Sequence, residues 1–158
     1  ATATYPSMLM DFEDQSDLYF GSGEPEFVGD AHEGKFAASI VPSPDGTIHI
    51  MNIEPVFWKG KSELHFWLKG DGQPGPLMLY LMRDSDYYFD EQILKGRYST
   101  ITIVGPNETF ESGWHEYAIP ISKIRDKDKV DSLWFKTPTE PGHPDQHRKL
   151  VIDGIELK

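Results

Sequence analysis

The chain has 158 residues and a formal net charge of −11, a length at which one domain can bury a proper core and a charge that repels phosphate backbones and anionic lipid. Without cysteine it can form neither a disulfide nor a thiolate metal site, and no apolar run approaches the length of a membrane span. Aromatics make up 13% of the residues, while 14 glycines and 12 prolines punctuate the chain too often for long helices, which favours an all-β fold.

Residues 1–7 read as a linker remnant or mature terminus, and 8–158 as a single domain. The first predicted strand is 8–13. It lies in a stretch, 1–46, that holds nine Asp or Glu against one Lys, an acidity that suits either a cation site or a solvated face. Strands at 35–41 and 47–53 follow, separated by the turn residues Pro42-Ser-Pro-Asp-Gly46. In the strand predicted at 62–69, Leu64, Phe66 and Leu68 point one way while His65, Trp67 and Lys69 point the other. Gly70-Asp-Gly-Gln-Pro-Gly-Pro76 turns the chain into a strand at 76–83, where Tyr80 is opposite in phase to Leu77, Leu79 and Leu81.

Beyond it, Arg83-Asp-Ser-Asp-Tyr-Tyr-Phe-Asp-Glu91 is a loop dense in donors, acceptors and rings. A strand at 99–104 ends at Gly105-Pro-Asn107, and one at 114–121 carries Tyr117, Ile119 and Ile121 toward the core. The stretch 121–128 has room for one helical turn. The strand at 130–136 again alternates, Leu133 and Phe135 opposing Ser132, Trp134 and Lys136, and 149–157 closes the series after the Pro-rich stretch Pro138–Pro144. Short strands at roughly ten-residue spacing are the pattern of an antiparallel two-sheet β-sandwich. The strands at the two chain ends, 8–13 and 149–157, are expected to lie close in space.

Two strands thus carry a Trp and a Lys on an otherwise polar face. A sugar is held by stacking its apolar C–H face on an aromatic ring while charged or amide groups bond its hydroxyls. Trp67 with Lys69, Trp134 with Lys136, and Tyr80 offer that combination, with Arg83, Asp86, Tyr87 and Tyr88 as orienting groups in the loop. The alternative is that both indoles are ordinary core covered by a loop. Asp84, Asp86, Asp90 and Glu91 also offer the carboxylate pairs of glycoside hydrolysis, but no Glu-x-Asp-x-x-Glu run is present to place them on one strand face. The six histidines are scattered, and His143 and His147 lie in the Pro-rich stretch rather than on a helix, which disfavours zinc.

Four segments together resemble the jelly-roll carbohydrate-binding modules of the galactose-binding-like superfamily, above all the family 4 and family 11 type. They are Leu9-Met-Asp-Phe-Glu-Asp14, then Ala31-His-Glu-Gly-Lys-Phe-Ala-Ala38, then Leu64–Gly72 followed by Gly113-Trp-His-Glu-Tyr-Ala-Ile-Pro-Ile121, and the terminal Leu150-Val-Ile-Asp-Gly-Ile-Glu-Leu157. The resemblance spans nearly the whole chain in the right order. It implies a jelly roll that binds polysaccharide without catalysis, secreted or at a bacterial cell surface, monomeric and linked to a catalytic domain. It also implies a structural calcium joining first and last strands, with carboxylates from Glu13 and Asp153 and carbonyl oxygens from Asp11 and Lys35. The sequence departs from such modules at Gln15 and Ser16, where they often have glycine, and the loop from Arg83 to Glu91 has no counterpart. Two rivals stand beside this reading. One is a small lyase or hydrolase on the same scaffold using Arg83, Asp86, Tyr87 and Tyr88; the other is a structural or adhesion sandwich that binds no glycan.

Overall fold

A strand whose apolar residues recur at every second position has one face to bury, and two sheets of such strands bury them against each other. The computed structural model describes residues 8–10, 20–22, 24–29, 31, 37–42, 46–50, 58–83, 98–125, 127–140 and 143–158. The strands are β1 (Met8–Met10), β2 (Phe20–Ser22), β3 (Glu24–Val28), β4 (Ala37–Val41), β5 (Thr47–Ile50), β6 (Glu63–Gly70) and β7 (Leu77–Met82). They continue as β8 (Ser99–Val104), β9 (Gly113–Pro120), β10 (Ser132–Lys136), β11 (Thr139–Glu140), β12 (His143–His147) and β13 (Leu150–Leu157). One 3-10 turn, Ile121–Lys123, falls where the sequence has room for a helical turn.

Among the described residues every strand pairing is antiparallel. The first sheet runs β3-β4-β13-β6-β9 with β1 also on β13, and the second runs β2-β5-β10-β7-β8. The fold is therefore the all-β sandwich expected of a jelly roll. The chain ends meet as anticipated: Met8 pairs with Glu156 and Met10 with Ile155. The sequence reading did not anticipate β2, β3 or the β11–β12 hairpin, the last of which occupies part of the Pro-rich stretch read as a loop.

Between the sheets, Leu64, Phe66, Leu68, Ile119, Ile152 and Leu157 of the first face Ile48, Ile50, Leu79, Leu81, Leu133 and Phe135 of the second, all buried. Phe66 and Phe135 meet edge to face across this core, centroids 5.5 Å apart at 85°, a favoured aromatic geometry. Trp58, buried beneath one end, donates its indole N–H to the Val130 carbonyl at 3.0 Å.

Two glycines are required by geometry. Gly154 (φ 55°) sits in a β-bulge, where the register of β13 on β6 slips between Asp153 and Glu156. The extra residue lets Ile152 and Ile155 both reach the core while Asp153 and Glu156 take the other face. At Gly70 a Cβ would fall 1.9 Å from the Glu111 carbonyl oxygen. That close approach seats 70–76 against 105–112, with the Gly72 N–H donating to Phe110 O, Phe110 N–H to Gln73 O and Gly75 N–H to Glu108 O. Arg148, 7% exposed, locks this end: Nη2 donates to both Asp71 carboxylate oxygens at 2.5 Å, and the guanidinium lies over the Phe110 ring, 5.0 Å from its centre.

Candidate functional site

The alternation that buries Leu133 and Phe135 turns Ser132, Trp134 and Lys136 to the opposite, outer face of the second sheet. Register then fixes their neighbours. Trp134 stands beside His49 of β5 on one side and Tyr80 of β7 on the other, and Tyr80 is beside Thr100 of β8. One row across four strands therefore reads His49, Trp134, Tyr80, Thr100. The next row reads Thr47, Lys136, Met78, Thr102, with Thr102 Oγ1 directed at the Met78 sulfur at 3.5 Å. Arg83, half-buried, follows at the end of β7.

The first row is tightly built. The His49 and Trp134 rings lie 4.1 Å apart, tilted by 35°. Trp134 is 9% exposed, Tyr80 7% and His49 3%. These rings form a second apolar layer on the outside of the sheet, so the expectation of an indole standing open at Trp134 is corrected. Its ring has the predicted direction but is covered.

Trp67 lies elsewhere. It belongs to β6 in the first sheet, half-buried on that sheet's outer face between Glu116 of β9 and Asp153 of β13. Its Cδ1 rests 3.6 Å from where a Cβ would stand on Gly154. Lys69 shares this face opposite Trp114. On the same face His65 Nδ1 meets Glu116 Oε1 at 2.5 Å and its Nε2 meets Glu63 Oε2 at 3.4 Å. Both Trp residues point away from one core, from opposite sheets, and so in opposite directions. The single platform expected from Trp67 and Trp134 together is not formed.

Of the other expected ligand-binding residues, Tyr80 and Lys136 share the second-sheet face with Trp134, and Arg83 follows directly on β7. Asp86, Tyr87 and Tyr88 lie outside the described residues, as do Asp11, Glu13 and Lys35 of the expected calcium site. Asp153 is 1% exposed, and a carboxylate so deeply buried requires compensating charge or hydrogen bonds. Among the described residues no three His, Asp or Glu side chains converge as a metal site, and no helix is long and apolar enough to cross a membrane. Sequence reasoning missed His49, Met78, Thr100 and Thr102. The signal for His49 was present, since it alternates with Ile48 and Ile50. Pairing Thr100 with Tyr80 required the register.

The sequence matches no protein-family model and no curated protein. Its structure is similar to solved carbohydrate-binding modules. A family 11 module from Clostridium thermocellum, in complex with a β-1,3-1,4-mixed-linked tetrasaccharide, has 18% identity and a TM-score of 0.58, covering 99% of this chain and 96% of that one. The family 11 module of the same organism's cellulosomal cellulase Lic26A-Cel5E has 17% identity and a TM-score of 0.57, covering 99% and 95%. The CBM22-1 xylan-binding domain of Paenibacillus barcinonensis Xyn10C has 13% identity and a TM-score of 0.53, covering 99% and 97%. The chain thus has the jelly-roll fold of carbohydrate-binding modules.

Proposed function

We propose that this chain is a non-catalytic module that binds a β-linked polysaccharide on the outer face of its second sheet. In this reading it holds an attached enzyme or a cell surface to that polysaccharide outside the cell. The observation that carries it is the row His49, Trp134, Tyr80, Thr100, which lines up rings and polar groups across neighbouring strands. Strands about 4.8 Å apart bring such side chains close enough to act on one ligand. Trp134 and Tyr80 supply the apolar floor, and Lys136 and Arg83 bond hydroxyls at its ends. Asp86, Tyr87 and Tyr88, which follow Arg83 in sequence, extend the donor set. The acidic chain favours a neutral glycan over a polyanionic one. The likeness to modules whose own ligands are a mixed-linked glucan and xylan supports the choice of ligand class.

Trp67 and Lys69, on the other face, are assigned to packing and solvation rather than to this site. A calcium ion held by Asp153 and Glu13 carboxylates and by Asp11 and Lys35 carbonyls belongs to the same proposal. All four donors are hard oxygens, which suit calcium, and the burial of Asp153 at the strand that pairs with β1 supports the fit. When bound, the ion neutralises carboxylates and ties the chain ends; the sugar site does not use it.

Affinity electrophoresis in gels containing mixed-linkage β-glucan, xylan or mannan tests the function. Retardation in at least one gel, with no reducing sugar released from any, is expected. Release of reducing sugar would instead favour a hydrolase, and free migration in every gel would favour a sandwich without a glycan ligand.

A further inference from the structure

Hydroxyls on the second sheet and the turns beside it are satisfied almost without exception among the described residues. Ser99 Oγ donates to the Lys123 carbonyl at 2.8 Å and accepts from the Arg125 N–H at 2.8 Å. Ser132 Oγ donates to Met82 O at 2.9 Å, Thr137 Oγ1 lies 3.4 Å from Gly46 O, and Thr102 Oγ1 has the Met78 sulfur. Thr100 differs. Its Oγ1 is buried and has no hydrogen-bond partner, although a buried hydroxyl without one destabilises a fold. Ser and Thr hydroxyls rotate freely and can donate and accept, so such an oxygen is ready for a group that arrives.

Its place gives that oxygen a use. Thr100 is on β8, the last strand of the second sheet, and its register partner is Tyr80. The phase of β8 puts it on the outer face, since Ser99 and Ile101 on either side pair with the core residues Leu81 and Leu79. The row thus ends in a hydroxyl immediately beyond the second of its two large rings.

We infer that Thr100 is a specificity-determining residue of the glycan site, its hydroxyl bonding an edge hydroxyl of the sugar unit that lies on Tyr80. The inference rests on the sugar-face reading above. It adds that the fold carries an unsatisfied hydroxyl in the free state because a sugar completes it. The oxygen is closed to solvent in the structure, and a sugar bonding it requires the side chains packed over this row to move aside.

Thr100→Val keeps the side-chain shape and removes the hydroxyl; Thr100→Ser keeps the hydroxyl. Melting temperature without sugar and affinity for mixed-linkage β-1,3-1,4-tetrasaccharide, xylohexaose and mannohexaose are measured for both and for the parent. Thr100→Val is expected to melt about 2–4 °C higher than the parent, because an unsatisfied buried group is gone. It is also expected to bind its sugar roughly tenfold more weakly, while Thr100→Ser stays within about threefold of the parent. A structural role alone would move the melting temperature and leave the affinity unchanged, and that result overturns the inference. Lys136→Ala and Trp134→Leu, on the same face, tell the two levels apart. If they weaken binding and Thr100→Val does not, only the role of Thr100 falls. If neither weakens binding, or the parent binds none of the three sugars, the sugar-face reading falls and this inference with it.

Discussion

Arg148 is a charged side chain held almost wholly out of water, and its partner decides what that costs. Its Nη2 spans both carboxylate oxygens of Asp71. Partial burial pushes the Asp71 carboxyl up, but the Arg148 hydrogen bond, the Gln73 backbone N–H and the guanidinium charge outweigh it and hold the acid below its ordinary value of 3.8. A lowered folded-state value means that ionised Asp71 favours the native state. That contribution is complete above the unfolded value of 3.8 and is lost as pH falls through the lower folded one. Asp71→Asn is therefore expected to lower the melting temperature at pH 7, by about 2–4 °C for a loss of about 1 kcal/mol, since the carboxylate is half exposed and screened. The gap between variant and parent closes only in the acid range, below about pH 4. Thermal melts from pH 3 to pH 8 check this, and a gap unchanged across that range would show that the pair does not stabilise through charge. Nothing in the sequence pairs residues 71 and 148; Asp71 there is one turn residue among several.

At the scale of strands, β6, β7 and β10 were legible because in each the residues that line the core fall at every second position. Leu64, Phe66 and Leu68, then Leu79 and Leu81, then Leu133 and Phe135 all face the core as their phase predicts. Alternation gives a strand two faces but does not say which sheet it joins. Trp67 and Trp134 carry the same local pattern and end on opposite outer surfaces, because β6 pairs with β13 and β9 while β10 pairs with β5 and β7. The bulge at Gly154 was not legible either, since its need appears only against β6. The pairing of β1 with β13 was expected, and the proposed calcium belongs to that junction. If the ion is held there, removing it frees the chain ends and exposes the like charges of Asp153 and Glu13 to each other. Excess chelator is expected to lower the melting temperature by several degrees, because binding to the native state alone stabilises it by mass action. Asp153→Asn should melt alike with and without chelator. A parent melting curve that ignores chelator would remove the ion from the account.

For the molecule as a whole, the fold follows from nine or so short apolar alternations and the turns between them, and the likeness to family 11 modules spans nearly the full chain. The proposed sugar site was legible in part. The ring types and the flanking lysines were visible, but the burial of Trp134 and Tyr80 and the company of His49 and Thr100 are products of packing. The central claim is that glycan binds the outer face of the second sheet and not that of the first. Isothermal titration of the glycan selected by the gel screen into the parent, Tyr80→Leu and Trp67→Leu, each first checked by circular dichroism, tests it most directly. Loss of an aromatic at a binding hot spot costs about 2 kcal/mol or more, at least a roughly thirtyfold weaker affinity. That loss is predicted for Tyr80→Leu, with Trp67→Leu binding as the parent does. Undiminished binding by Tyr80→Leu together with loss in Trp67→Leu would contradict the claim and move the site to the face of the first sheet.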